Sequence, residues 1–120
     1  MKETEIQKEI LDWLKNRGFM CWRNSNMPTR GRRNLTFVPR GMPDIFVLVS
    51  GRLVGLEVKT SGGRVSPEQL AFGDLLILHG GFYFVVRNLQ GVVEAFSMYD
   101  VRPDPPLYSN GRPKPVDKGF

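Results

Sequence analysis

The 120-residue sequence is poor in the side chains that most often crosslink a fold or bind soft metals: it has one cysteine and one histidine. A single cysteine closes no internal disulfide. Cys21, set in Phe19-Met20-Cys21-Trp22, reads as a small buried hydrophobe, and a cytosolic setting fits that usage. His79 stands beside Gly80-Gly81 and reads as a helix C-terminal residue rather than a metal ligand or general base. No apolar run approaches the roughly 18 residues of a membrane-spanning helix. The start, Met1-Lys2-Glu3-Thr4-Glu5, leads into no apolar signal core. There is no internal repeat. A chain of this length suits one domain around one core.

Acidic residues are scarce where basic ones are dense. The chain carries a formal net charge of +5, yet residues 1–18 are balanced, with four positive and four negative side chains. Residues 19–64 hold eight positive side chains (Arg23, Arg30, Arg32, Arg33, Arg40, Arg52, Lys59 and Arg64) and only two negative ones, Asp44 and Glu57. Two isolated acids in a basic field suit a metal site approached by a polyanion. Seven of those eight cations are arginines, whose planar fork matches phosphate oxygens. The plainer reading is a generally basic surface.

The two acids belong to one local pattern. Gly41-Met42-Pro43-Asp44 precedes the apolar, β-branched run Ile45-Phe46-Val47-Leu48-Val49. Ser50-Gly51-Arg52 interrupts it, and Leu53-Val54-Gly55-Leu56-Glu57-Val58-Lys59 resumes it. Two apolar runs around a glycine-containing turn predict a β-hairpin. Alternation sends Val54, Leu56 and Val58 to one face and Glu57 and Lys59 to the other. Asp44 enters from the start of the neighbouring strand. Carboxylate oxygens are the hard ligands that Mg²⁺ takes one or two at a time, and a lysine beside them can stabilise an attacking water or developing charge. Taken alone, acid-x-lysine is common on solvent-facing strands, and a solvated hairpin accounts for it. The charge distribution and the rest of the chain favour a site.

Upstream, Thr4-Glu5-Ile6-Gln7 reads as a capping box opening a helix over residues 4–17, with Ile6, Ile10, Trp13 and Leu14 on one face and Gly18 as its stop. Glu5 in its first turn either stabilises the helix dipole or adds a third carboxylate to the site. Phe19–Arg23 reads as a strand. Residues 24–34 form a polar loop whose Arg30, Arg32 and Arg33 are solvated or contact phosphate. Leu35–Val38 reads as a short strand. Pro43 fixes the approach to Asp44.

Downstream, Ser66-Pro67-Glu68-Gln69 predicts a second helix with Ser66 as cap, Pro67 in the first position and Gln69 completing a capping box. Gln69 has a second reading, as an amide turned toward the site. Leu70, Phe72, Leu75, Leu76 and Leu78 make this helix apolar on several sides, which predicts deep burial. Phe82–Val86 reads as a strand. Asn88–Phe96 reads as a short helix in preference to a strand after a Gln90-Gly91 turn. Five of nine prolines fall after Val101, so residues 101–120 are expected to form an extended tail and residues 1–100 the domain.

The ordered set Thr4-Glu5-Ile6-Gln7, Trp22-Arg23-Asn24, Gly41-Met42-Pro43-Asp44, Gly55-Leu56-Glu57-Val58-Lys59-Thr60 and Gly63-Arg64-Val65-Ser66-Pro67-Glu68-Gln69 closely resembles the VRR-NUC (virus-type replication-repair nuclease) family of the PD-(D/E)xK nuclease superfamily. The resemblance spans roughly residues 4 to 87 by this element reading. It implies an α/β fold with a restriction-endonuclease-like core, a central mixed β-sheet flanked by α-helices. It implies Mg²⁺- or Mn²⁺-dependent hydrolysis of DNA phosphodiesters. Asp44, Glu57 and the Val58 backbone carbonyl would ligate the metal, and Lys59 would position the water. Glu5 would be the helix-borne acid, and Gln69 an amide near the lysine. Arg23, Arg30, Arg32, Arg33, Arg40 and Arg64 are the expected DNA contacts. Small standalone members resemble junction-resolving homodimers of phages and bacteria, so branched DNA is the expected substrate and a second copy the expected partner. A flap or less selective nuclease, or a non-catalytic DNA-binding module, are the competing expectations.

Overall fold

The β-branched run and its partner form the hairpin at the centre of the sheet. The computed structural model describes residues 1–24 and 39–105. The predicted Leu35–Val38 strand, the loop arginines Arg30, Arg32 and Arg33, and residues 106–120 lie outside the described residues. Seven elements follow in order: α1 (Glu3–Asn16), β1 (Met20–Arg23), β2 (Ile45–Val49), β3 (Arg52–Val58), α2 (Pro67–Leu78), β4 (Phe82–Val86) and α3 (Leu89–Met98). Asn88 caps α3 by accepting from the Gly91 N–H, so the helical reading of this stretch holds.

The sheet runs in sequence order, β1-β2-β3-β4. The first two pairings are antiparallel and β3–β4 is parallel, with α2 as the crossover. Val49 pairs with Arg52, leaving Ser50 and Gly51 as a two-residue turn. Both have positive φ, 51° and 77°, as tight hairpin turns of the primed type require. The result is the mixed sheet of an α/β fold that the family resemblance implies.

Strand alternation sorts the two faces. Ile45, Val47, Val49, Val54, Leu56, Val58 and Val86 point into the main core. There they meet Ile6, Ile10, Leu11 and Leu14 of α1 and Val92 and Phe96 of α3. The opposite face carries Phe46, Gly55 and Tyr83 and is roofed by α2 through Phe72, Gly73 and Leu76.

Two local expectations are corrected. Helix α1 starts one residue early, at Glu3, with Lys2 as N-cap and no side-chain cap bond. Thr4 therefore lies inside the first turn, where its hydroxyl cannot act as a cap, and the predicted Thr4–Gln7 capping box does not form. Helix α2 is less buried than its composition suggests. Only Gly73 and Leu76 are buried, while Leu70, Leu75, Ile77 and Leu78 each keep half or more of their surface exposed. On that side a single helix covers the sheet, and among the described residues nothing packs on its outer apolar side chains.

The segment after α3 follows the body as far as it is described. Val101 packs against the core. The Asp104 carboxylate accepts from Ser50 N–H at 3.0 Å and from Ser50 Oγ at 2.9 Å, which fastens residue 104 to the β2–β3 turn.

Candidate active site

Asp44 stands at the mouth of β2 and Glu57 near the end of β3. Backbone contacts fix the first acid. Asn24 extends β1 by donating its N–H to the Asp44 carbonyl at 2.8 Å, and its Nδ2 donates to the Pro43 carbonyl at 2.8 Å. Gly41 has φ of +79°, and a Cβ there would lie 2.3 Å from the Glu68 carbonyl oxygen and 2.7 Å from the Gln69 nitrogen. The loop thus presses against the first turn of α2, where only glycine fits. Pro43 then covers Gly55. Each part of Gly-x-Pro-Asp has a steric role, and together they aim one carboxylate.

That carboxylate reaches across to the hairpin partner. Asp44 Oδ2 accepts from the Val58 N–H at 2.7 Å, so the peptide of Val58 runs directly beside it. Glu57 is 1% exposed, which is exceptional for a glutamate. No donor reaches its Oε1. Its Oε2 lies 4.0 Å from Lys59 Nζ, whose side chain is 15% exposed. The Lys59 N–H donates to the Val86 carbonyl at 3.0 Å, continuing the parallel ladder and holding the lysine backbone.

The electrostatics describe a site that needs a positive charge. Burial pushes the Glu57 carboxyl up to about 8. A hydrogen bond shared with the Asp44 carboxyl and the Asp44 charge add to the rise, Lys59 opposes it, and Glu3 adds a little more. Two carboxyls this close share a proton unless a cation replaces it.

Among the described residues no three His, Cys, Asp or Glu side chains gather into a metal-binding group. Two carboxylates are what remains. They fit Mg²⁺ or Mn²⁺, which take few protein ligands and complete their shell with water and phosphate oxygens. The donorless Glu57 Oε1 is what such an ion would engage.

The other expected residues are placed as follows. Gln69 completes the α2 capping box: its Oε1 accepts from Ser66 N–H at 2.8 Å, and its own N–H donates to Ser66 Oγ at 3.2 Å. Its first-turn backbone lies against Gly41, but its amide oxygen is engaged in the cap. Glu5 is exposed and lines a groove between α1 and β1 with Lys8, Asp12, Lys15 and Trp22. Glu3, half-buried, is the helix acid whose charge bears on Glu57. Arg23 lines the same groove and donates to the Thr4 carbonyl at 3.4 Å. Arg40 and Arg64 are exposed.

Three contributors have no counterpart in the sequence reading. Glu3 was hidden by the assumed cap at Thr4. Asn24 lies in a quoted motif, but its clamp on Pro43 and Asp44 needs the sheet register. Arg87 donates to the carbonyls of Thr60, at 2.5 Å, and Gly63, at 2.8 Å, and so pins the loop that follows Lys59. An arginine just past a strand end carries no such signal by itself.

No family model and no curated protein matches the chain. Solved structures do match. One, described as "VRR_NUC domain protein", aligns with a TM-score of 0.68 at 17% identity, over 96% of this chain and 98% of that one. A second, described as "VRR_NUC domain", gives 0.61 at 24% identity, over 81% and 96% respectively. The fold is that of the VRR_NUC domain. The hairpin of Asp44, Glu57 and Lys59 therefore sits in a VRR_NUC-like scaffold along nearly its whole length. No helix among the described residues is long and apolar enough to cross a membrane.

Proposed function

We propose that this chain is a divalent-metal-dependent DNA endonuclease of the VRR-NUC type, acting on branched DNA such as four-way junctions as a homodimer. The observation that carries the reading is the buried Glu57 carboxylate, with one oxygen lacking any donor, beside Asp44 and Lys59. A solvated hairpin would leave that acid in water. The names of the two similar structures support the nuclease class.

Asp44 and Glu57 would hold Mg²⁺ or Mn²⁺, with the Val58 carbonyl as a third ligand. The ion would polarise a phosphoryl oxygen and acidify a bound water. Asp44 is oriented for this by the Val58 N–H and by the clamp from Asn24. Lys59, mostly shielded from solvent, places its charge where an oxyanion develops. Arg23, Arg40 and Arg64 supply positive charge for the phosphate backbone, joined by the loop arginines Arg30, Arg32 and Arg33. The exposed apolar face of α2, uncovered among the described residues, supports assembly with a second copy. A dimer brings two sites to two strands, as symmetric resolution requires.

The test is a cleavage panel. End-labelled four-way junction, flap, duplex and single-stranded DNA are incubated with protein and Mg²⁺, Mn²⁺ or chelator. Paired symmetric nicks across the junction are expected, lost with chelator and in Asp44→Ala, Glu57→Ala and Lys59→Ala. Equal cutting of every substrate would remove the junction claim and keep the nuclease. Binding without cutting under either metal would leave a DNA-binding module.

A further inference from the structure

Two buried side-chain polar atoms have no hydrogen-bond partner among the described residues: Glu57 Oε1 and the Tyr83 hydroxyl. Leaving such an atom unpaired costs about 1–3 kcal/mol, so each one needs a reason. Strand register sets their residues diagonally across adjacent strands. In the parallel pair β3–β4, Tyr83 lies opposite Gly55 and Val85 opposite Glu57. Alternation puts all four on the face roofed by α2. Gly55 carries no side chain, so nothing on β3 stands between the ring and the acid two residues on. One orphan is an acceptor and the other is a donor, and a carboxylate has lone pairs enough to take both a hydroxyl proton and a cation.

Packing gives the hydroxyl no reason to be there. Phe82 and Phe84, on either side in sequence, face the main core, and a phenylalanine at 83 would fill the same ring volume under α2. The chain instead gives up helix propensity to seat this ring. Gly73 lies in the middle of α2, where glycine costs about 1 kcal/mol relative to alanine. A Cβ at Gly73 would lie 2.5 Å from the Tyr83 ring. The ring thus lies against the helix at Gly73 with its oxygen buried. Burial first, then the charges of Glu57 and Asp44, raise the hydroxyl to about 12, so it remains a donor at neutral pH.

We propose that Tyr83 is a positioning residue for Glu57: once a divalent cation draws the carboxylate into place, the Tyr83 hydroxyl donates to it, directly after a side-chain adjustment or through one buried water, and holds its orientation toward the cation. Carboxylates that ligate metals are themselves hydrogen-bonded from behind, and these outer partners set affinity. The inference rests on the metal-site reading above and adds to it the group that aims the second acid. The phenol proton stays on Tyr83 throughout.

The test is Tyr83→Phe, which keeps the ring and removes one oxygen. Mn²⁺ binding to DNA-free protein is measured by calorimetry for wild type, Tyr83→Phe and Glu57→Ala. The expected result is a cooperatively folded Tyr83→Phe protein whose Mn²⁺ affinity falls about tenfold, the usual scale for losing an outer partner. Its junction cleavage should return to within about twofold of wild type at saturating Mn²⁺, as expected of an orienting role rather than direct participation. Unchanged Mn²⁺ affinity in Tyr83→Phe, with affinity lost in Glu57→Ala, would overturn this inference alone. Wild-type affinity in Glu57→Ala would overturn the metal site and this inference together.

Discussion

Glu57 is a carboxylic acid folded into a place where its charge is unwelcome. Its pKa of about 8 stands far above the ordinary 4.5. Between those values the unfolded chain has released the proton and the folded chain still binds it. The metal-free protein should therefore lose stability as pH rises through that window. Glu57→Gln has no charge to bury. In chelator it should unfold with a flatter pH dependence and exceed wild type at pH 8 by something on the order of 2–4 kcal/mol. Denaturant unfolding at pH 5.5 and 8 reads this directly, and a wild-type curve that is flat or rises with pH would contradict it. Added Mn²⁺ should reverse the order by binding the folded wild type.

The two acids at the start of α1 make a second comparison. Glu3 bears on Glu57, while Glu5 lines the outer groove with Lys8 and Lys15. If the site draws on the helix, it draws on Glu3. Glu3→Gln should therefore alter cleavage more than Glu5→Gln, whose side chain lies in the outer groove. The reverse ranking would restore Glu5 to the role that the family resemblance gives it.

At the scale of elements, α2 is what makes the site rigid. Its first turn is pressed by Gly41, its middle by Tyr83, and Leu76 comes close to Gly55. In an exposed helix, glycine to alanine gains about 1 kcal/mol. Gly73→Ala should do the opposite here, because its Cβ collides with the Tyr83 ring, and overpacking of this kind costs about 1–3 kcal/mol. Thermal unfolding gives the sign; a stabilised Gly73→Ala would mean that the ring is free to move aside.

What could be read from sequence follows the same division. The hairpin and the α2 cap were legible because their signals are local: a period of two, a turn with glycine, and Ser66 facing Gln69 three residues on. The cap of α1 is displaced by two residues from the sequence reading because Thr4 resembles a cap, whereas the cap is Lys2, without any side-chain bond. The exposed face of α2 could not be foreseen, since an all-round apolar helix looks the same whether or not a partner exists. Asp44 and Glu57 announced themselves by their isolation among arginines. Asn24, Arg87 and Tyr83 act through strand register and could be placed only once β1 and β4 had their partners.

For the molecule as a whole, the two sides of the sheet are finished differently. Among the described residues, one side is closed by α1 and α3 around a continuous core, and the other ends in the apolar outer face of α2. A homodimer built there should fall apart when charge is introduced. Leu75→Glu with Leu78→Glu should sediment as a monomer where the native chain sediments as a dimer, with metal-free unfolding little changed because neither residue is in the core. A dimer that survives both changes would place its interface elsewhere. A native chain that is monomeric at tens of micromolar would remove the symmetric-resolution argument.

The β2–β3 hairpin, closed by only Ser50 and Gly51, also bears on when the site forms. Positions 44 and 57 are joined by a short stretch of chain that meets itself in an antiparallel ribbon. Hairpins of this kind zip on a timescale of roughly 1–10 μs. The parallel strand β4 must wait for α2 to cross over, a longer and slower closure. The acid pair thus comes together by neighbourhood and is roofed afterwards. Under the proposed metal reading, a cation that neutralises those acids while the ribbon is still closing would favour the late steps as well, so that Mn²⁺ would act on refolding as a template and not only as a reagent.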